Sequence, residues 1–365
     1  MTGVQGAAEH VLVTGGAGFI GSCIVDQLVA AGVAVTILDN LSPAAHSCRP
    51  AYLNPAARFV EGDVRDGDAW RAAMKGVDAV CHQAGRVGLG VDFGDAAAYV
   101  ADNDVGWVVG LGVLHDLGFA GRIVLASSMV VYGEGRYRCP AHGVVRPEPR
   151  RVTDLDAGRF EPTCPQCTAS LQPEPIPEEA PLDPRNVYAA TKLHQEHLAA
   201  AFAREHGNDA CWLRYHNVYG PRMPRNTPYA GVASLFRSRL ESGLAPLVTE
   251  DGRQLRDFVH VDDVARVNVA ALTGEAPMHG PINVGSGAPH TVGEMADALA
   301  SAFGAAPGDD VWPRTTGGYR LGDVRHIVAS TARARDVYGL HAAIGFDAGM
   351  RSFAFAPLRE PVASA

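Results

Sequence analysis

The chain has 365 residues, with 40 acidic against 31 basic side chains for a net charge of -9, and 47% of its residues are hydrophobic. That composition excludes a disordered or fibrous chain and fits one large domain with a smaller lobe. The acidic balance gives no general attraction to phosphate backbones or anionic lipid, so neither nucleic acid nor a membrane is an expected partner. No run approaches the ~20 apolar residues of a bilayer span, and Met1 to His10 lack the basic and apolar regions of an export leader. The expected compartment is therefore the cytoplasm.

His10 to Thr14 reads as a strand, residues 15–21 as a glycine-rich turn, Ser22 to Ala31 as a helix and Val33 to Leu38 as a second strand. This is a βαβ unit. Glycines at 15, 18 and 21 suit a tight turn, close backbone approach to a pyrophosphate and close helix packing, with the pyrophosphate at the helix N-terminus. Asp39 follows the second strand, where a carboxylate accepts from both adenosine ribose hydroxyls and repels a 2′-phosphate. NAD is thereby favoured over NADP. Asp63-Val64 follows a third strand, Arg58 to Val60, and either reaches the adenine or caps the next helix.

Further strands at Ala79 to His82 and Ile123 to Ala126, separated by helix-length stretches, predict a Rossmann-type, doubly wound parallel α/β sheet. Between Tyr132 and Asn186 the rhythm breaks, and an insertion at about 134–180 is rich in Pro, Arg and Cys. The pattern resumes with a helix over Val187 to His206 and a strand over Cys211 to Tyr215. The expected division is a dinucleotide-binding domain over 1–215, a smaller substrate lobe mainly over 216–350, and a flexible tail over 351–365.

Tyr188 and Lys192 stand at i and i+4 on one helix face. A tyrosine serves as a base near neutral pH only if its pKa falls well below ~10, which a neighbouring ammonium favours. Ser128, at the end of a strand, is placed to hydrogen-bond the same substrate oxygen.

Taken in order, Thr14 to Gly21, Asp63 to Asp66, His82 to Gly85, Asn103, Ser127 to Gly133, Tyr188 to Lys192, Leu213 to Arg222, Arg256 to Asp263 and Asn283 to Gly285 resemble the extended short-chain dehydrogenase/reductase family, in its NAD-dependent nucleotide-sugar epimerase/dehydratase branch. The resemblance implies a catalytic Ser128, Tyr188 and Lys192. It implies NAD contacts from Gly15, Gly18, Phe19, Ile20, Gly21, Asp39, Asn40, Asp63, Val64, Gln83, Ala84, Asn103, Tyr188, Lys192 and Tyr215. Substrate contacts are implied at Val87, Ser128, Met129, Asn217, Arg222, Arg256, Arg320 and Asp323, together with a homodimer. Segments 86–93 and 227–234 are expected to line the sugar.

Dehydratases of the branch carry an Asp-Glu pair after the catalytic hydroxyl residue; here those positions are Met129 and Val130, which transfer no proton. A 4-epimerase acting through a transient 4-keto sugar is therefore the leading reading. A one-way dehydrogenase or reductase is the alternative, and a non-catalytic NAD or nucleotide-sugar sensor is the less favoured one.

The insertion contains Cys139-Pro140-Ala141-His142 and Cys164-Pro165-Gln166-Cys167. Three thiolates and an imidazole in two such knuckles predict a closed, structural zinc site. A Cys/His insertion of this kind resembles a bacterial subgroup of dTDP-L-rhamnose 4-epimerases, which implies a dTDP-linked 6-deoxyhexose as substrate.

Overall fold

The computed structural model describes residues 7–88, 93–225 and 231–359. The first part alternates β1 (His10–Thr14), α1 (Phe19–Ala30), β2 (Ala34–Asp39), β3 (Arg58–Glu61), α2 (Gly67–Ala73), β4 (Ala79–His82), α3 (Ala96–Tyr99), α4 (Gly106–Asp116) and β5 (Arg122–Ser128). The insertion supplies β6 (Arg136–Cys139), β7 (Gly143–Val145), α5 (Val152–Asp156) and β8 (Gln172–Glu174), before α6 (Val187–His206), β9 (Ala210–Tyr215) and β10 (Asn217–Tyr219). The remainder is α7 (Val232–Glu241), β11 (Leu247–Val248), β12 (Leu255–His260), α8 (Val261–Thr273), β13 (Gly280–Val284), β14 (Pro289–Thr291), α9 (Val292–Ala302), β15 (Arg314–Thr315), α10 (Ala332–Tyr338) and α11 (Phe346–Phe355).

Seven strands form one parallel sheet in the order β13-β9-β5-β4-β1-β2-β3. Strands buried on both faces carry side chains for two cores, so alternate residues of β1 part company. Val11 and Val13 join Ile24, Leu28, Val264 and Leu272 of α1 and α8. Leu12 joins Trp70, Trp107, Leu114 and Phe202 on the other face. A separate cluster built on Phe236, Met295, Leu299, Met350 and Phe353 makes the second lobe. Among the described residues no helix is long and apolar enough to cross a membrane.

Two expected boundaries are corrected. The chain does not leave the first domain at residue 215: α8 packs on α1, and β13 pairs with β9 as the last strand of the sheet. Gly280–Val284 is too short and too glycine- and proline-rich to announce itself as a buried strand. Nor is the chain frayed from Arg351, because α11 runs to Phe355 with Phe353 fully buried and Leu358 in the same core.

The insertion is a small antiparallel sheet, β7-β6-β8, with its own cluster of Tyr137, Cys139, Cys164 and Leu171.

Candidate active site

A cavity of about 660 Å³ opens along the C-terminal ends of the parallel strands, the place where open α/β sheets take ligands. Gly15, Gly18, Phe19, Ile20 and Gly21 form one end of it. Gly15 sits at φ +67°, and a Cβ there would lie 2.7 Å from the Ala84 nitrogen; a Cβ on Gly21 would lie 2.2 Å from the Gly15 oxygen. Any side chain at either position would fill the cradle. Helix α1 starts at Gly18 without a side-chain cap and without an acid in its first turn. Its first amides and the positive end of its dipole are thus left to a ligand phosphate, so the residues present fit a dinucleotide.

Asp39 closes the next strand, and its carboxylate accepts from the amides of Ala17 at 3.0 Å and Leu41 at 2.9 Å. Asp63 also lines the cavity, where Asn40 and both arms of Arg65 hold it well below the usual carboxylate range, the Arg65 contact being the larger cause. It does not cap α2; Asp66 does, accepting from the Asp68 amide. Val64, Gln83, Ala84 and Tyr215 complete this wall, with Gln83, Tyr215 and Asn268 hydrogen-bonded to one another.

Asn103 is placed differently from its expected cofactor role. Residues Val100–Val105 wind as a π-helical turn that points Asn103 into the core, where it is 0% exposed. Its oxygen accepts from the Arg86 amide, and its nitrogen donates to the Arg86 carbonyl and to Thr191. Asn103 therefore fastens the cavity loop to α6 and does not line the cavity.

Ser128, Tyr188 and Lys192 come together on the cavity floor. Ser128 ends β5 in register with Tyr215. Tyr188 stands in the first turn of α6, which Asn186 caps by accepting from the Ala189 amide at 2.8 Å. Lys192 is buried and donates to the Ala126 carbonyl and to Gln195, both at 3.0 Å. Burial pushes the Tyr188 phenol up to about 12, against the opposing hydrogen bond from Ser128, and pushes the Lys192 ammonium down to about 8. The lysine that was expected to lower the tyrosine is instead committed to backbone and amide oxygens.

Lys192 carries a prediction about pH. Its folded-state pKa lies below its unfolded value of 10.5, so between pH 8 and 10.5 the unfolded chain binds more protons and this group's penalty on the fold fades as pH rises. Against a Lys192→Met variant, the native protein should gain up to roughly 3 kcal/mol across that window. Urea unfolding of both proteins at pH 8 and 10 checks it; a constant difference would refute the shift.

Of the residues expected to hold substrate, Val87, Ser128 and Asn217 line the cavity, and the Asn217 Oδ1 has no partner among the described residues. Met129 does not line it, packing with Val131, Tyr132, Val324 and Ile327. Arg222 pairs with Asp26 at 2.7 Å and lies over the Tyr52 ring. The Arg256 guanidinium donates to the carbonyls of Leu255, Val324 and Arg325, outside the cavity wall, while Arg320 and Asp323 lie on the same segment as those last two carbonyls. Of the two segments expected around the sugar, 89–92 and 227–230 lie outside the described residues.

Arg86, Val87 and Gly88 of the first expected sugar segment line the cavity, whereas sequence reasoning missed His46, His216, Met223 and Arg359, which also line it. Arg359 is held there by its amide, which donates to the Met223 carbonyl, and by the Pro357 carbonyl accepting from Arg222. It lies close enough to His46 and Tyr52 to influence both electrostatically. A cation there complements a dinucleotide, so Arg359→Ala should weaken NADH binding roughly tenfold, as read by fluorescence titration; unchanged affinity would leave Arg359 a bystander.

In the insertion, the Cys139 sulfur lies 3.6 Å from the Cys167 sulfur and 3.5 Å from His142 Nδ1, which lies 3.5 Å from the Cys164 sulfur. All four ligand atoms fall within 4.8 Å of one another. Tetrahedral zinc with bonds of about 2.0–2.3 Å needs ligand edges of about 3.5–3.8 Å, so the donor set and its spacing fit that ion. Burial opposes the Cys139 thiolate, but the amides of Ala141 and His142 together with the Cys164 and Cys167 thiols outweigh it and lower the thiol's pKa.

The model of the NAD dependent epimerase/dehydratase family matches residues 11–152 and 164–285, breaking inside the insertion. A dTDP-L-rhamnose 4-epimerase of Burkholderia thailandensis is 36% identical over 333 residues, covering 89% of this chain and 88% of that one. Among solved structures, the UDP-glucose 4-epimerase of Thermotoga maritima with UDP-glucose superposes with a TM-score of 0.76 at 28% identity, over 94% of this chain and 97% of that one. The Thermus thermophilus UDP-glucose 4-epimerase in complex with NAD gives 0.70 at 30%, over the same shares.

Proposed function

Because the chain belongs to the NAD-dependent epimerase/dehydratase family, we propose that it is a nucleotide-sugar 4-epimerase that keeps NAD bound as a catalyst. The observation that carries this reading is the one cavity holding both the glycine cradle and Ser128 with Tyr188, followed by Met129 and Val130 where a dehydratase needs proton-transferring groups. Bound NAD+ would supply a hydride acceptor and, with the Lys192 ammonium, the positive charge needed to bring the Tyr188 phenol down from about 12 into the range of a base. Tyr188 takes the proton of the sugar C4 hydroxyl and later returns it, Ser128 hydrogen-bonds that same oxygen in both directions, and Lys192 contributes positive charge to the floor. A flat 4-keto sugar turning in the cavity would present its opposite face, which would invert the C4 configuration.

The 36% identical relative and the Cys/His insertion favour a dTDP-linked 6-deoxyhexose such as dTDP-L-rhamnose. Purified protein, without added cofactor, should be incubated with dTDP-L-rhamnose and a panel of UDP-, dTDP- and GDP-hexoses, with C4 configuration read by proton NMR. Formation of a 4-epimer with no net NADH supports the reading. Turnover only in proportion to NAD(H) consumed would make the protein a dehydrogenase or reductase.

We read the Cys139, His142, Cys164 and Cys167 cluster as structural zinc, since four protein ligands leave no open position for water. Elemental analysis should find one zinc per chain, and none in a Cys139→Ser/Cys164→Ser variant; a metal-free native protein would refute it. A homodimer is supported by Val105 and Val108, which leave nearly half of their surfaces exposed around the start of α4. Sedimentation at micromolar concentration tests it.

A further inference from the structure

The insertion grips a segment of the second lobe. Glu161 Oε1 accepts from Arg325 Nε at 3.0 Å, and Glu161 Oε2 lies 2.8 Å from His326 Nε2. His326 Nδ1 accepts from the Leu255 amide at 3.1 Å, so its proton resides on Nε2 and is donated to Glu161. From the other arm of the insertion, the Tyr137 hydroxyl donates to Glu134 and accepts from the His326 amide. Arg150 donates to the Asp323 carbonyl at 2.7 Å and pairs with buried Glu250. Arg325, 0% exposed, collects Glu161, Glu250 and Asp251 on one guanidinium.

The segment held in this way backs the Arg256 guanidinium through the carbonyls of Val324 and Arg325 and carries Arg320 and Asp323. It also reaches the catalytic floor, because Val324 and Ile327 pack with Met129 and Val131, directly after Ser128. The two arms that do the gripping are the two that bring metal ligands: Tyr137 lies two residues before Cys139, and Glu161 three before Cys164. Besides the ligands, little apolar contact joins them, their shared cluster being Tyr137, Cys139, Cys164 and Leu171. Ligation therefore sets how the arms close on His326 and Arg325.

We propose that Glu161 is a positioning residue for the nucleotide diphosphate of the substrate, acting through His326 and Arg325, and that metal at Cys139, His142, Cys164 and Cys167 holds it in place. The proposal rests on the zinc reading above and on the expectation, from the family resemblance, that Arg256 and Arg320 meet the substrate diphosphate, Arg256 being itself held by carbonyls of this segment.

The test compares native protein, protein stripped by a chelator, and a Glu161→Gln variant, which leaves every ligand in place. Metal content, amide hydrogen exchange over 320–328, calorimetric binding of dTDP and of UDP, NADH affinity, and KM and kcat for dTDP-L-rhamnose are measured on each. The expected result is that Glu161→Gln keeps one zinc, while both it and the stripped protein exchange faster over 320–328. KM and the diphosphate Kd should rise roughly tenfold, the effect of one lost charge-assisted bond, with kcat and NADH affinity retained.

A bound zinc whose removal leaves exchange and diphosphate binding unchanged overturns the coupling and spares the zinc reading. Native protein that binds no metal overturns both. No turnover of any sugar, with exchange and diphosphate binding responding as expected, overturns the epimerase reading and supports this proposal.

Discussion

Tyr188→Phe should lower kcat by roughly 10²- to 10⁴-fold, the contribution of a positioned general base, while the affinity for NADH is unchanged. The phenol is the group on the cavity floor that the proposed chemistry uses to accept a proton from C4, since Ser128 has an ordinary hydroxyl and Lys192 is already donating to Ala126 and Gln195. Its position is set by the cap on α6 and by the neighbouring Tyr99 ring, neither of which uses its hydroxyl, so the ring should stay where it is. The cofactor cradle is built from Gly15, Gly18, Gly21 and Asp39, which the substitution does not touch. Single-turnover kinetics with the sugar found by NMR, beside NADH fluorescence, make the measurement. A kcat within threefold of native would remove Tyr188 from the chemistry, and loss of NADH binding would make it a structural residue.

Glu196→Gln should cost about 3–5 kcal/mol of stability, the range for leaving one member of a buried ion pair uncompensated. Glu196 and Arg214 are both nearly inaccessible and share two bonds at 2.9 and 2.7 Å. Arg214 also donates to Tyr132 and to the Glu178 carbonyl, and Ser127 donates to Glu196. Tyr132 continues the chain of bonds to Asn283 on β13. This network lies beneath Ser128 and ties β5, α6, β9 and β13 together, so an amide that keeps the shape but loses the charge strands the guanidinium. Urea unfolding at pH 7 should show the loss. A double Glu196→Leu/Arg214→Met variant should recover most of it, because the charge and its partner leave together. A loss under 1 kcal/mol in the single variant would show that the charge is compensated elsewhere.

The parts of the site that were legible in the sequence are those whose chemistry depends on local spacing. Glycines 15, 18 and 21 need only one turn and one helix to become a cradle, and Tyr188 and Lys192 need only one helix to share a face. The two Cys/His knuckles are likewise local, although their meeting across 28 residues depends on β6 and the 164–171 turn. What stayed hidden depends on tertiary partners. Nothing around Asn103 says that a π-helical turn will rotate it inward to hold the Arg86 backbone. Arg222 and Arg256 sit in stretches that resemble substrate contacts, yet Arg222 pairs with Asp26 and Arg256 donates to backbone carbonyls brought from distant segments. Arg359 was hidden because the chain beyond Arg351 is too short and too interrupted by Pro357 and Pro361 for a helical periodicity to show, although Phe353 and Leu358 suffice to anchor it.

The place of β13 at the end of the sheet has a consequence for synthesis. Until residue 284 has left the ribosome, β9 offers a row of unpaired backbone groups to any other strand in reach, beside a half-formed core that lacks α8. A nascent chain halted anywhere between 215 and 284 is thus an incomplete domain with an open edge, and closing that edge must bring together segments some seventy residues apart. Expression of fragments ending at the apparent domain boundary would yield aggregation-prone protein, whereas the natural chain covers β9 with β13 only after that boundary has been passed.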